Sequence, residues 1–110
     1  MFDIDNTICI TKRSSYSNSV PKTKIIKVIN ELFKKNYYIK IFTSRYMGRN
    51  NDNMPLVKKK YYLKTKKQLK SWDLMFHELI LGKPSYDLHF DDKSFNIKEK
   101  KSINKLLNLK

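Results

Sequence analysis

The 110-residue sequence has one cysteine, no long apolar run and few acidic residues. Each of these shortages excludes a class of protein or a kind of structural feature. Cys9 has no second cysteine in the chain, so no intrachain disulfide is possible and a reducing compartment is expected. No segment approaches the roughly 18 apolar residues of a membrane span. Asp3 and Asp5 lie where a signal peptide would carry basic residues. We therefore expect a cytoplasmic protein.

The acidic residues number only ten against 24 basic ones, which gives a formal net charge of +14. Such a charge ordinarily indicates nucleic acid or another anionic surface as a partner. However, 21 of the basic residues are lysine and three are arginine, whereas phosphate and base-edge recognition favours arginine. The sequence also has no alanine, ten asparagines and eleven isoleucines, which is typical of A- and T-rich codons. Coding bias and a general attraction for anionic substrates are favoured over a dedicated nucleic-acid surface.

The length and the 40% hydrophobic content predict one domain that spans residues 1–110. Strands are predicted at residues 2–5, 37–43, 77–81 and 86–90, and a loop at residues 11–20. Helices are predicted at residues 21–36, 55–72 and 97–107, the second with a break near residues 63–65. Alternating strands and helices predict an α/β fold, a three-layer Rossmann-like parallel sheet with helices on both faces. Its first strand looks truncated, because only Met1 and Phe2 precede Asp3.

Polar residues follow each predicted strand. In a parallel sheet, ligands bind outside the carboxyl ends of the strands, so these residues are expected to lie together. They are Asp3 and Asp5, Thr43 with Ser44 and Arg45, Lys83, and Asp91 with Asp92.

Four of the ten acidic residues form two tight clusters, Asp3/Asp5 and Asp91/Asp92. Carboxylates a few ångströms apart repel one another and raise at least one pKa unless a cation neutralises them. Oxygen-rich groups suit Mg²⁺, which shares its remaining positions with water and substrate phosphate. The clusters therefore predict a phosphate site.

Four short motifs occur in order, namely Asp3-Ile4-Asp5-Asn6-Thr7, Ile41-Phe42-Thr43, Gly82-Lys83-Pro84 and Phe90-Asp91-Asp92. This order resembles the haloacid dehalogenase-like hydrolase superfamily, whose phosphatases carry Asp-x-Asp-x-Thr, a strand ending in Ser or Thr, a Lys and an acidic pair. The resemblance covers nearly the whole chain. Each motif alone is short, and their order at predicted strand ends is the specific signal.

The resemblance implies a magnesium-dependent phosphatase with an aspartyl-phosphate intermediate. Asp3 would attack phosphorus, and Asp5 would protonate the leaving alcohol and later activate water. Thr43 would hydrogen-bond a phosphoryl oxygen, and Lys83 would offset the negative charge around Asp3. Asp91 and Asp92 would hold Mg²⁺ together with Asp3 and the backbone carbonyl of Asp5.

Each of these residues also has a purely structural interpretation. Asp3 and Asp5 fit an ordinary turn, and Lys83 is one lysine among 21. Thr43 is a β-branched residue at a strand end, and Ser44 could take its role. Arg45 could bind the substrate's phosphate or be a solvated loop charge.

Only 13 residues separate Thr7 from Pro21, which leaves no room for an inserted cap domain. A capless member resembles small phosphatases that act on large substrates or close the site with a second subunit, so a homo-oligomer is possible. Residues 42–45 and 81–87 resemble small bacterial phosphatases of capsule or surface-sugar biosynthesis, which favours a sugar phosphate as substrate. Two alternatives are a phosphatase acting on nucleic-acid ends and a catalytically silent, lysine-rich binding module.

Overall fold

The computed structural model describes residues 1–109, and its N-terminal part contains a short antiparallel pair of strands. β1 (Cys9–Ile10) pairs with β2 (Val20–Pro21). The segment between them contains a 3₁₀ turn at Tyr16–Asn18. The loop predicted at residues 11–20 is therefore largely confirmed, although the strand on each side of it was not predicted.

Helix α1 (Thr23–Lys34) confirms the helix predicted at residues 21–36. Its buried side chains recur at helical spacing, which places one face against the core. The helix ends where Asn36 adopts a left-handed conformation (φ 69°) and the Tyr37 amide donates to the Leu32 carbonyl at 3.1 Å. Asparagine tolerates this conformation better than most residues, so it ends the helix at low cost.

A parallel pair of strands forms the centre of the fold. In this pair β3 (Lys40–Thr43) lies beside β4 (Glu78–Leu81), with Thr43 opposite Leu81. Phe2 lies along the other edge of β3, where its amide donates to the Lys40 carbonyl and its carbonyl accepts from the Phe42 amide, both at 2.9 Å. Three parallel segments therefore end side by side.

Helix α2 (Met54–Ser71) runs without interruption, so the predicted break near residues 63–65 is wrong. The Asn53 side chain caps its start by accepting a hydrogen bond from the Leu56 amide at 3.2 Å. The Thr65 hydroxyl donates to the Tyr61 carbonyl at 2.9 Å, within the helix, and does not interrupt it. The helix carries seven lysines and no acidic residue.

Helix α3 (Lys100–Asn108) closes the described part of the chain and confirms the helix predicted at residues 97–107. It buries Leu106 and Ser102, and Leu106 belongs to the main hydrophobic core. No helix among residues 1–109 has the length and apolarity to cross a membrane.

The prediction of a three-layer Rossmann-like parallel sheet is wrong, although the chain is α/β. Residues 1–109 contain two two-stranded sheets, one antiparallel and one parallel, with strands of two to four residues. The segment predicted as a strand at residues 86–90 is irregular, and Tyr86, Leu88 and Phe90 are exposed by 52%, 76% and 88%. Alternating apolar residues form a strand only where a neighbour supplies backbone partners and a surface to cover them, and this segment has neither.

Ser102 offers a test of how α3 packs. Its buried hydroxyl has no hydrogen-bond partner among residues 1–109, and an unsatisfied buried polar group costs about 1–3 kcal/mol. We expect Ser102→Ala to raise the free energy of unfolding by about 1 kcal/mol in urea denaturation. Ser71→Ala is the matched control, because the Ser71 hydroxyl already donates to the Gln68 carbonyl at 2.6 Å and its removal should give no gain. A loss of stability in Ser102→Ala would contradict the expectation.

Candidate active site

Asp3 and Lys83 form an ion pair where the parallel segments end. Lys83 Nζ lies 3.5 Å from Asp3 Oδ1, and the two side chains are only 14% and 34% exposed. The Lys83 amide also donates to the Thr43 carbonyl at 3.2 Å, which fixes the backbone between the ends of β3 and β4. The structure thus brings together three of the predicted residues: Asp3, Thr43 and Lys83.

Burial raises the pKa of Asp3 above its ordinary value of 3.8, because the carboxylate loses water. The positive charge of Lys83 and the Ile4 amide act in the opposite direction, while the nearby charge of Asp5 adds to the rise. Lys83 therefore keeps the ionised form of a partly dehydrated carboxylate more favourable than burial alone would allow.

Gly82 directs Lys83 toward the site. It has φ +93°, a conformation that side-chain-bearing residues rarely adopt. A Cβ atom at this position would also collide with the Met54 side chain and crowd that of Lys58. The turn after β4 therefore requires glycine. The absence of a side chain at Gly82 also allows α2 to pack closely against this turn.

Thr43 and Ser44 follow one another but differ in accessibility. Thr43 is fully buried, and its hydroxyl accepts a hydrogen bond from the Arg45 amide at 3.1 Å. Ser44 is half-buried, and its carbonyl accepts from the Met47 amide at 3.1 Å in a tight turn. In this arrangement Ser44 is the more accessible hydroxyl for a substrate oxygen, and Thr43 orders the loop that contains it.

Asp5 and Arg45 form a second ion pair, in the interior. Arg45 Nε lies 3.0 Å from both carboxylate oxygens of Asp5, and the Arg45 side chain is 1% exposed. Arg45 was predicted to be a solvated loop charge or a substrate ligand. The structure instead places its guanidinium against Asp5, beneath the surface.

Three further residues complete what we call the Asp5–Arg45 network, which consists of Asp5, Arg45, Thr11, Ser19 and Gln68. Thr11 Oγ1 donates to Asp5 at 2.6 Å, and Arg45 Nη2 donates to Ser19 Oγ at 3.1 Å. Since the single Thr11 proton is directed to Asp5, the 2.6 Å contact between Thr11 and Ser19 takes its proton from Ser19. Arg45 Nη1 donates to Gln68 Oε1 of α2.

An aromatic group covers the network. The Arg45 guanidinium lies 5.0 Å from the centre of the Tyr16 ring, and Tyr46 stacks on Tyr61 at 3.8 Å. Tyr46 has φ 68°, which is uncommon for a bulky residue and marks a strained turn directly after Arg45. Gln68 Nε2 donates a hydrogen bond to the Tyr16 carbonyl at 2.7 Å. The contacts with Asp5, Gln68 and the Tyr16 ring therefore fix the position of Arg45.

Asp91 and Asp92 have local partners on their own segment. Both are exposed, and Asp91 accepts a hydrogen bond from the Lys93 amide at 3.0 Å and pairs with His89 at 3.9 Å. The Lys93 amide lowers the pKa of Asp91 below its ordinary value. Among residues 1–109, no group of three or more His, Cys, Asp or Glu side chains is placed to hold a metal ion.

The four predicted carboxylates therefore do not form one metal-binding group in the described residues. Both side-chain oxygens of Asp5 accept from Arg45, and one also accepts from Thr11, so the backbone carbonyl is the part of Asp5 that the resemblance assigns to Mg²⁺. Asp3 contributes one carboxylate, which faces Lys83. The two remaining predicted ligands, Asp91 and Asp92, follow the irregular segment at residues 86–90 and are exposed.

Sequence reasoning missed the roles of Thr11, Ser19 and Gln68. Thr11 and Ser19 lie in a serine-rich segment whose composition indicates a loop, and Gln68 is the one amide among the seven lysines of α2. An uncharged hydrogen-bonding side chain in such a helix was the available signal for Gln68. Nothing in the local pattern distinguishes Thr11 or Ser19 from their neighbours.

Comparison with known proteins establishes the fold alone. No family model and no curated protein matches the chain. A crystal structure of a structural-genomics target from Vibrio cholerae matches with a TM-score of 0.81 and 21% identity. The match covers 97% of this chain and 94% of that one. Nearly the whole chain therefore shares its fold with a protein of similar size.

The buried position of Arg45 leads to a stability prediction. Arg45→Lys keeps the charge but loses the planar fork that reaches Asp5, Ser19 and Gln68 together. We expect a loss of about 2–3 kcal/mol in the free energy of unfolding, because the Asp5 carboxylate and the Gln68 side-chain amide lose hydrogen-bond partners. Arg49→Lys is the matched control, since Arg49 is exposed and donates to the Ser14 carbonyl at 2.7 Å. Its cost should stay below about 1 kcal/mol. Equal small losses in both variants would contradict a structural role for Arg45.

The Asp3–Lys83 pair leads to a prediction about ionisation. The pKa of Asp3, followed by carboxyl-carbon NMR, should lie above 3.8, and Lys83→Met should raise it further because the nearby positive charge is lost. Lys64→Met, on the exposed face of α2, should leave it unchanged. Since the folded pKa is raised, Asp3 alone makes the folded state less stable as the pH rises from 3.8 through that pKa. An Asp3 pKa that Lys83→Met leaves unchanged would show that the pair is absent in solution.

Proposed function

We propose that this protein is a phosphoric monoester hydrolase in which Asp3 is the nucleophile. The observation that carries the proposal is the meeting of Asp3 and Lys83 beside Thr43, at the ends of three adjacent parallel segments. The order of the motifs supports it, because that order resembles the haloacid dehalogenase-like phosphatases. The proposal depends on these residues and not on a particular sheet architecture.

In the first step, an oxygen of Asp3 attacks phosphorus, the bond from phosphorus to the leaving oxygen breaks, and that oxygen takes a proton from the acid form of Asp5 to leave as the alcohol. The product is an aspartyl-phosphate, and covalent catalysis of this kind divides one difficult displacement into two easier ones. Lys83 offsets the negative charge that Asp3 and the phosphoryl group bring together. The accessible Ser44 hydroxyl is suited to bind a phosphoryl oxygen.

In the second step, water attacks the aspartyl-phosphate, releases phosphate and restores the Asp3 carboxylate. Asp5 is the acid/base residue of the proposal. Both of its oxygens accept hydrogen bonds from Arg45, and the ionised carboxylate accepts the proton of the attacking water once one of these bonds opens. Donating a proton to the leaving alcohol requires a rearrangement that frees one oxygen.

Mg²⁺ belongs to the proposal through the motif resemblance, which assigns Asp91 and Asp92 to it. The four predicted carboxylates do not form one metal-binding group in the described residues, and no step above depends on the metal. The dependence on the metal is therefore a separate question for experiment.

A phosphorylated sugar is the proposed substrate, and the single free cysteine fits a cytoplasmic location. A polynucleotide end is the second candidate, because α2 presents seven lysines with no acidic residue among them. Ionic strength distinguishes the two, since counterion release makes binding of a polynucleotide far more sensitive to salt than binding of a small phosphate ester.

The test is phosphate release from a panel of sugar phosphates, nucleotides and phosphorylated DNA ends, with and without Mg²⁺, at low and high salt. We expect Asp3→Asn to lower kcat/KM by at least ~10³-fold, since it removes the nucleophile. Asp73→Asn makes the same charge change at an exposed position after α2 and should retain wild-type activity. Acid quenching followed by mass spectrometry should locate a phosphoryl group on Asp3.

Two results would contradict the proposal. Full activity in Asp3→Asn would exclude Asp3 as the nucleophile. The absence of phosphate release from every substrate, with and without Mg²⁺, would favour a catalytically silent binding module.

A further inference from the structure

A cavity of about 320 Å³ opens beside Asp3, between the N-terminal segment and α3. Asp3 and Thr7 line one side of it, and residues of α3 and of the segment before α3 line the other. Its volume lies at the lower end of the range usual for small-molecule sites. A ligand in this cavity would contact the proposed nucleophile directly.

The cavity contains two lysines that no carboxylate neutralises. Lys93 and Lys105 line it, and neither forms an ion pair within residues 1–109. The one carboxylate on the wall is that of Asp3, which already pairs with Lys83. Positive charges therefore outnumber negative ones among the residues that line the cavity.

A buried hydroxyl and an apolar wall complete the cavity. Ser102 lines it, and its hydroxyl has no hydrogen-bond partner in the described part of the chain. Buried polar groups without partners are rare, and an oxygen of a bound ligand would satisfy this one. Phe2, Phe95 and Leu106 supply apolar surface suited to the carbon skeleton of a small organic molecule.

We propose that this cavity binds the organic part of the substrate, and that Lys93 and Lys105 bind a second anionic group on it. The substrate class is then a small phosphomonoester that also carries a carboxylate or a second phosphate. This inference rests on the proposed function, because the phosphoryl group of such a molecule lies at Asp3 while its other anionic group lies at Lys93 and Lys105.

Matched pairs of phosphate esters test the inference. Glucose 6-phosphate and 6-phosphogluconate differ by a carboxylate, and fructose 6-phosphate and fructose 1,6-bisphosphate differ by a phosphate. The measured quantity is the ratio of kcat/KM within each pair, in favour of the more anionic member. Calorimetric binding of the same four compounds to Asp3→Asn gives a readout that does not require turnover.

We expect the wild type to favour the more anionic member of at least one pair, and the pair it favours identifies the second group. Lys93→Gln and Lys105→Gln should each reduce that preference about five- to tenfold, with little change for the less anionic member. Lys64→Gln makes the same change in net charge on α2, outside the cavity, and should retain the full preference. This control separates a local effect from the general positive charge of the chain.

The outcomes distinguish this inference from the proposed function. Hydrolysis of both members of each pair with equal efficiency, unaffected by the two lysine substitutions, overturns the inference and leaves the phosphatase intact. Binding that weakens in Lys93→Gln and Lys105→Gln without any hydrolysis supports the cavity and overturns the phosphatase. Neither hydrolysis nor binding overturns both.

Ser102→Ala gives a second, independent measurement. It should weaken binding of the preferred compound severalfold while it raises the stability of the free protein, because the hydroxyl is unsatisfied only when the cavity is empty. Unchanged affinity in a more stable variant would mean that Ser102 takes no part in binding.

Discussion

The buried ion pair between Asp5 and Arg45 is the interaction on which the rest of the structure depends. Removing two charges from water is costly, and the cost is met only where good geometry and further hydrogen bonds satisfy both groups. Here Thr11, Ser19 and Gln68 supply those bonds. The pair therefore joins four separate parts of the chain: the N-terminal turn, the segment between β1 and β2, the loop after β3, and α2.

This connection explains how so small a sheet can support a defined site. The parallel strands are four residues long, and Phe2 is held beside β3 by two backbone hydrogen bonds. Such a sheet alone gives little rigidity to Asp3. Asp5 lies two residues farther along and is anchored from the opposite side by Arg45, so the chain is fixed both before and after Asp3. The position of the proposed nucleophile thus depends on the ion pair between Asp5 and Arg45.

Those parts of the molecule that follow from local pattern could be predicted, and those that depend on distant partners could not. The apolar spacing of α1 and the β-forming run that ends at Thr43 are local signals, and both elements were found close to their predicted bounds. The convergence of Asp3, Thr43 and Lys83 follows from strands that end at one edge. Residues 86–90 have the same alternation as a strand, but pairing depends on a neighbour that no local pattern reveals.

Dependence on partners distant in sequence also explains why the surroundings of Arg45 and the positions of Asp91 and Asp92 could not be predicted. Arg45 and Asp5 lie 40 residues apart in sequence, and a lone arginine in a polar loop is ordinarily solvated. Its burial becomes apparent only when Tyr16 and Gln68 are seen around it. Asp91 and Asp92 were expected beside Asp3 because the segment before them looked like a strand. Without that strand, their place in the sequence gives no information about their place in space.

The lysine-rich surface of α2 has a consequence for the conditions in which this protein works. Seven positive charges on one helix, with no acidic residue among them, repel one another, and only a few find compensation, as Lys60 and Lys66 do over Tyr61 and Tyr62. Dissolved ions weaken such repulsion beyond a screening distance of about 10 Å at 0.1 M salt. The helix should therefore become more stable as ionic strength rises. Gln68 lies on this helix and accepts a hydrogen bond from Arg45. A change in the stability of α2 with ionic strength therefore affects the position of Arg45.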